Sequence, residues 1–292
     1  MTTTENPKLA MALMLAATAF IAATTLLAKA LGTDALGPAL NPLQISHGRF
    51  VFALMTLVTA ALVMRPKLGR PNLKLHVLRT ACGWAGVTML FAAVAFIPLS
   101  DATAISFLNP VFAMLLAIPL LGERVGPVRW GASAIALVGA LILLRPGGDG
   151  IQPAALIALA AAVAMGLEVI VIKKLATAEA PFQILLVNNA IGLGISSLAV
   201  LPVWQPPTPA QWLALAGVGV AMAAAQTLFV NSMARAETSL VVPLTYVTLI
   251  FAAFYDLIFF SVWPDFVSVI GATVIISGAA LLAWREARRR PL

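Results

Sequence analysis

The stretch "LNPVFAMLLAIPLLGERV", residues 108–125, is almost wholly apolar. It nevertheless carries Asn109-Pro110 near its start, Pro119 inside it and Gly122-Glu123-Arg124 at its end. Proline within a water-soluble helix removes a backbone hydrogen bond and collides with the preceding turn, so a globular core avoids this pattern. In a bilayer the carbonyl that a proline orphans must be rescued by a neighbouring helix, a side chain or cavity water. Pro110 frees the carbonyl of Ser106 and Pro119 that of Leu115, so the segment reads as a bent membrane-spanning helix beside a wet interior. Gly122 suits a left-handed helix end. Glu123 then lies near the positive end of a helix whose first turn holds Pro127, and the Gly-Glu-Arg turn reads as structural.

Composition extends this reading to the whole chain. Of its 292 residues 61% are hydrophobic and 10% charged, and the mean hydropathy is +1.00. Globular domains are roughly 25% charged. Leu9–Ala28, Thr80–Ser100 and Ala102–Gly122 are uncharged stretches of 20 or 21 residues apart from occasional polar groups, and about 20 residues cross a bilayer core of roughly 30 Å. The net charge of +7 finds no soluble domain on which to build a nucleic-acid face, and fits anionic lipid and cytoplasmic loops instead. Cys82, the single cysteine, lies in an apolar span, which excludes an internal disulfide. The first apolar run lacks a small-residue cleavage site and is expected to be a retained span.

Proline, glycine and charge divide the chain into ten expected helices, at 8–31, 41–64, 76–97, 101–121, 127–145, 152–174, 181–203, 210–234, 238–262 and 264–285. With the N-terminus in the cytoplasm, fifteen of the eighteen Lys and Arg residues fall on the inner side, Arg79 among them, and only Arg145 on the outer side. Lys29 and Arg49 fall within spans. The positive-inside rule then puts both termini in the cytoplasm.

The chain also repeats itself. Residues 15–31 align with 159–175, residues 89–96 with 227–234, and residues 130–144 with 270–284, at a shared offset of 138 to 144. This divides it into five-helix units, 1–150 and 151–292. Five is odd, so the second unit enters from the opposite face, an inverted plan recurrent in secondary transporters.

The run 108–125, followed by "WGASAIALVGALILL" (130–144), resembles the fourth and fifth helices of the drug/metabolite transporter superfamily in its ten-helix, EamA-type branch. "SHGRFVFAL" (46–54) resembles the start of that family's second helix. In general character the chain is similar to the YddG-type amino-acid exporters. The resemblance implies an all-α, monomeric basket around a central cavity in a bacterial inner membrane, exporting small metabolites by alternating access. In the second half, Ser261-Val262-Trp263 stands where Gly-Glu would fall, so the partner of that turn is not expected to do the same job.

An ionisable group at the bilayer centre costs roughly 2.5 to 3.5 kcal/mol on insertion scales, which makes His47, Arg49, Glu168 and Asp256 functional candidates. Arg49 either holds a substrate carboxylate or ties helix ends through backbone carbonyls. Lys29 is expected to snorkel, Glu168 to pair with Lys173-Lys174, and Asp256 to reach the interface. Helix one carries no carboxylate, so proton coupling is unsupported and facilitated transport is expected.

Because helices three, four, eight and nine line the centre in the family, the resemblance makes Trp84, Asn109, Asn231 and Tyr246 candidate substrate contacts. Asn188 and Asn189 hint at a polar seam with Gly48 and Arg49. Pro110 and Pro243 are candidate hinges, and Gly131, Gly139, Gly271 and Gly278 suit close helix packing. Small-metabolite export, most of all of amino acids, competes with export of drugs or lipophilic cations, which wants a buried carboxylate among aromatics. No catalytic triad, metal-ligand spacing or phosphate loop argues for an enzyme, and no cofactor is expected.

Overall fold

A computed structural model describes residues 6–66, 68–121, 126–144, 152–176, 179–233, 235 and 242–288. Asparagine and proline set where its helices begin. Asn6 accepts from the Leu9 amide ahead of α1 (Pro7–Gly32), Asn41 from Leu43 ahead of α2 (Pro42–Met64), and Asn72 from Leu75 ahead of α3 (Leu73–Val94). Each cap satisfies an amide that has no intrahelical partner, and Pro7 and Pro42 occupy first turns where no donor is missed.

The fourth span is two helices, α4 (Leu99–Ser106) and α5 (Asn109–Leu121). Between them Phe107 and Leu108 close a tight turn, donating to carbonyls three residues back. The chain continues through α6 (Pro127–Leu144), α7 (Pro153–Ala176), α8 (Pro181–Val200) and α9 (Pro209–Met233). Thr208 and Gln211 form a reciprocal capping box at the start of α9: the Thr208 hydroxyl accepts from the Gln211 amide and the Gln211 side chain from the Thr208 amide. A 3₁₀ turn, Val242–Tyr246, leads into α10 (Val247–Phe260), and α11 (Phe266–Arg288) follows.

Among the described residues seven spans are long and apolar enough to cross a membrane, with α4 and α5 counted as one, and three shorter apolar stretches, Trp130–Leu143, Leu244–Phe260 and Phe266–Gly278, complete ten. Packing runs chiefly between the halves of the sequence: α1 on α9 and α10, α2 on α8 and α9, α3 on α7, and α6 on α11. A large buried cluster draws Leu90, Leu99, Leu108, Ala158, Leu249 and Ile275 from several of these helices.

Four expectations change. Pro110 does not interrupt a hydrogen-bond ladder, because the chain ends α4 before it and restarts, leaving Pro110 in the first turn of α5. Pro243 likewise lies in the 3₁₀ turn ahead of α10, while Pro119 alone of the two in the opening stretch stays inside its helix. Ser261 does end its helix as a left-handed residue, with φ 55°, despite the missing glycine. The Ser261 and Val262 amides donate to the carbonyls of Leu257 and Asp256, which hold that strained geometry. Gly139, Gly271 and Gly278 sit where a Cβ would strike the facing helix, whereas Gly131 faces open space. Gly122-Glu123-Arg124, Arg145, Ser239 and the side chain of Lys173 lie outside the described residues.

A candidate substrate site between the two halves

Arg49, on α2, is only 3% exposed and makes no hydrogen bond or ion pair among the described residues. Its guanidinium carbon stands 3.9 Å from the centroid of the Phe50 ring. Phe50 is itself fixed, because its ring fills the notch left by Gly192 on α8, where a Cβ would collide with it. The helix-tying alternative for Arg49 therefore has no carbonyl partner here.

Arg79 was counted among the loop charges by sequence, yet it is 5% exposed on α3. It contacts Glu168 of α7, Nη2 to Oε1 at 3.5 Å, and reaches the Ile184 carbonyl of α8 with Nη1 at 3.5 Å. Glu168 thus contacts Arg79, while the side chain of Lys173, half of the expected Lys173-Lys174 pair, lies outside the described residues. The charge environment of Glu168 is Arg79 first and Arg49 second. Gly83, one turn along α3 from Arg79, makes room for this carboxylate: a Cβ there would come within 2.6 to 2.7 Å of the Glu168 carboxyl atoms. A neighbouring hydrogen bond, Thr80 Oγ1 to Asn188 Oδ1 at 3.0 Å, ties α3 to α8, and Asn189 is fully buried with its Oδ1 unpartnered among the described residues. The Arg79-x-x-x-Gly83 spacing, which puts cation and gap on one helix face, was the signal available in the sequence.

The other candidates are scattered around this cluster. Trp84 is half-buried and its indole Nε1 has no partner among the described residues. His47 faces Ser196 at 3.3 Å and stands edge-on to Trp204, toward the end of the molecule away from the chain termini. The main chain of Asn109 packs against Gly166 of α7. Asn231 is drawn to the end of α9, where its Oδ1 accepts from Arg235 at 2.8 Å, away from the Arg49 cluster. Tyr246 stands edge-on to Phe107, their centroids 5.2 Å apart, so the 3₁₀ turn ahead of α10 meets the break between α4 and α5.

Two other expectations fail. Lys29 does not snorkel and Asp256 does not reach the interface: they form a buried ion pair of 2.5 Å, at 8% and 1% exposure. Asp256 also accepts from the Leu99 amide at the start of α4. In a low-dielectric interior, mutual neutralisation costs less than sending two charges to water from that depth. Among the described residues no three His, Cys, Asp or Glu side chains gather as a metal site.

Ten apolar spans among the described residues, a broken fourth span and buried charges between the halves define a multi-pass membrane carrier. The chain belongs to the EamA-like transporter family, whose model matches residues 8–145 and again 152–284. It is 32% identical to a riboflavin transporter of Rhizobium johnstonii over 73% of this chain and 71% of that one. It is 25% identical to an S-adenosylmethionine uptake transporter of Rickettsia bellii over 86% of this chain and 87% of that one. A pseudopaline exporter of Pseudomonas aeruginosa is 23% identical over 74% and 77% of the two chains. A solved crystal structure, 23% identical, shares the fold with a TM-score of 0.64 over 96% of this chain and 98% of its own. The protein is thus a transporter of small metabolites and not an enzyme. These relatives differ in cargo and direction, so the likeness to amino-acid exporters is not specific.

Proposed function

We propose that the protein exports small metabolites, amino acids foremost, across a bacterial inner membrane by facilitated alternating access. In this reading residues 1–150 and 151–292 are inverted repeats, the monomer is the working unit, and both termini are cytoplasmic. The observation that carries it is the buried Arg49–Glu168–Arg79 cluster, to which α2 and α3 contribute from one half and α7 from the other. A charged group at the join of two repeats is where a carrier binds cargo that both faces must reach.

Export of lipophilic cations is the second reading. Glu168 is the carboxylate it would need, but Arg79 and Arg49 already surround it, and that weakens this alternative. The test is counterflow in liposomes holding purified protein, with labelled amino acids, amines, sugar phosphates, riboflavin and S-adenosylmethionine. Amino acids should exchange. Exchange confined to amines would favour the second reading, and inside-out vesicles would give the direction.

A further inference from the structure

We infer that the substrate carries an anionic group, and that Arg49 is the residue that receives it. This rests on the reading of the cluster as the transport site. Among the described residues the cluster holds two guanidinium groups and one carboxylate. Glu168 is committed to Arg79 by contact and acts on Arg49 only from a distance. Arg49 is therefore a buried cation with no contacting counter-charge among the described residues. A guanidinium is not deprotonated in a protein, so such a charge is tolerated only with compensation.

Two features make this a built position. The Phe50 ring faces the guanidinium and is pinned by the Gly192 notch, which gives partial compensation and a fixed direction. The Gly83 gap holds Glu168 against α3, so that Glu168 stays with Arg79 and does not swing to neutralise Arg49. An arriving carboxylate would bring the cluster to charge balance, a phosphate monoester would carry it past balance to a net negative charge, and either would meet a planar donor suited to two oxygens. A cationic cargo would add a third positive charge.

The experiment uses four probes built on one ring: tryptophan, indole-3-propionate, tryptophanamide and tryptamine, with glucose 6-phosphate to separate phosphate from carboxylate. Each is scored by the thermal shift of purified protein in detergent and by inhibition of counterflow. Tryptophan and indole-3-propionate should act at concentrations about tenfold lower than the amide and the amine, the worth of one hydrogen-bonded charge. If glucose 6-phosphate acts as well as the carboxylates, the anion is recognised without regard to its kind; if it does not, a carboxylate is selected. Arg49→Lys should keep the order of the probes and Arg49→Gln should abolish it. If Arg49→Gln does not fold, Gly83→Ala, which displaces Glu168 while leaving Arg49 in place, should alter carboxylate potency. Amide and amine acting as well as the carboxylates overturns the inference while leaving the transport reading intact, provided counterflow occurs. Failure of every compound in the wider panel to exchange overturns both.

Discussion

Lys29 donates to Asp256 across 2.5 Å, and this pair ties the last turn of α1 to α10 at the end of the molecule away from the chain termini. Asp256 accepts at the same time from the Leu99 amide, which begins α4, so one carboxylate holds three helices. The ammonium also stands 4.6 Å from the Phe260 ring. Neutralising one partner leaves the other charge buried. Asp256→Asn should destabilise the protein by about 3 to 5 kcal/mol, and Lys29→Met with Asp256→Leu by much less. Chemical unfolding in detergent would measure both. Equal losses in the single and double variants would mean that the pair is not coupled.

The α6–α11 contact gives a second prediction. A Cβ on Gly139 would lie 2.7 Å from the Ile275 amide and 2.8 Å from the Gly271 carbonyl, both backbone atoms that cannot rotate away. Gly139→Ala should therefore force the helices apart and lower stability by about 1 to 3 kcal/mol. Gly131 meets nothing within 4 Å, and Gly131→Ala should be neutral or stabilising by up to about 1 kcal/mol through helix propensity. Comparable thermal shifts in the two variants would defeat this reading of the packing.

Much of the architecture is legible because apolar runs and prolines are local signals. The starts of α1 and α2 follow directly from Asn-Pro pairs, and the ten crossings from stretches of uncharged residues. The partners of buried charges are not local. Lys29 and Asp256 lie 227 positions apart, and nothing in their neighbourhoods names the other. Arg79 was misassigned for a related reason: a cation within the first two turns of a helix looks the same in sequence whether it faces water or a carboxylate. The break at Phe107 was misread as a kink because proline marks a disruption without saying whether the helix bends or restarts.

Outside the spans, Glu179 offers a pH test. It accepts from the Asn72 amide at 2.8 Å, faces His76 Nε2 at 2.9 Å and accepts from Gln183 Nε2 at 2.6 Å. Burial acts to raise its pKa, but the hydrogen bonds from Asn72, His76 and Gln183 together outweigh it and leave the value below the ordinary one. A carboxylate depressed in the folded state stabilises the protein above its unfolded pKa, about 4.3, and that contribution fades as pH falls through the folded value. The stability gap between the parent and Glu179→Gln should hold steady above about pH 5 and close on acidification. A gap that widened toward low pH would contradict the sign.

Phe107 and Tyr246 make the last prediction concrete, since their rings meet where the break between α4 and α5 lies against the 3₁₀ turn ahead of α10. Our hypothesis is that Pro110 and Pro243 are hinges: Pro110 follows the turn between α4 and α5, and Pro243 lies in the 3₁₀ turn that leads into α10. Pro110 stands in the first turn of α5, a position where proline is well tolerated. Pro110→Ala should therefore leave thermal stability within about 1 kcal/mol of the parent, because proline in a first turn forgoes no needed donor and alanine fits the same backbone. Its effect should fall on motion, since alanine allows α4 and α5 to fuse into one continuous helix, and hinges depend on a few residues that absorb backbone rotation. Turnover in counterflow should drop several-fold in Pro110→Ala and in Pro243→Ala alike. Phe107→Ala, which removes the ring contact worth about 0.5 to 1.5 kcal/mol, should loosen the junction and change turnover without changing the helix break. Parental turnover in both proline variants would show that the breaks are static and that gating occurs elsewhere in the bundle.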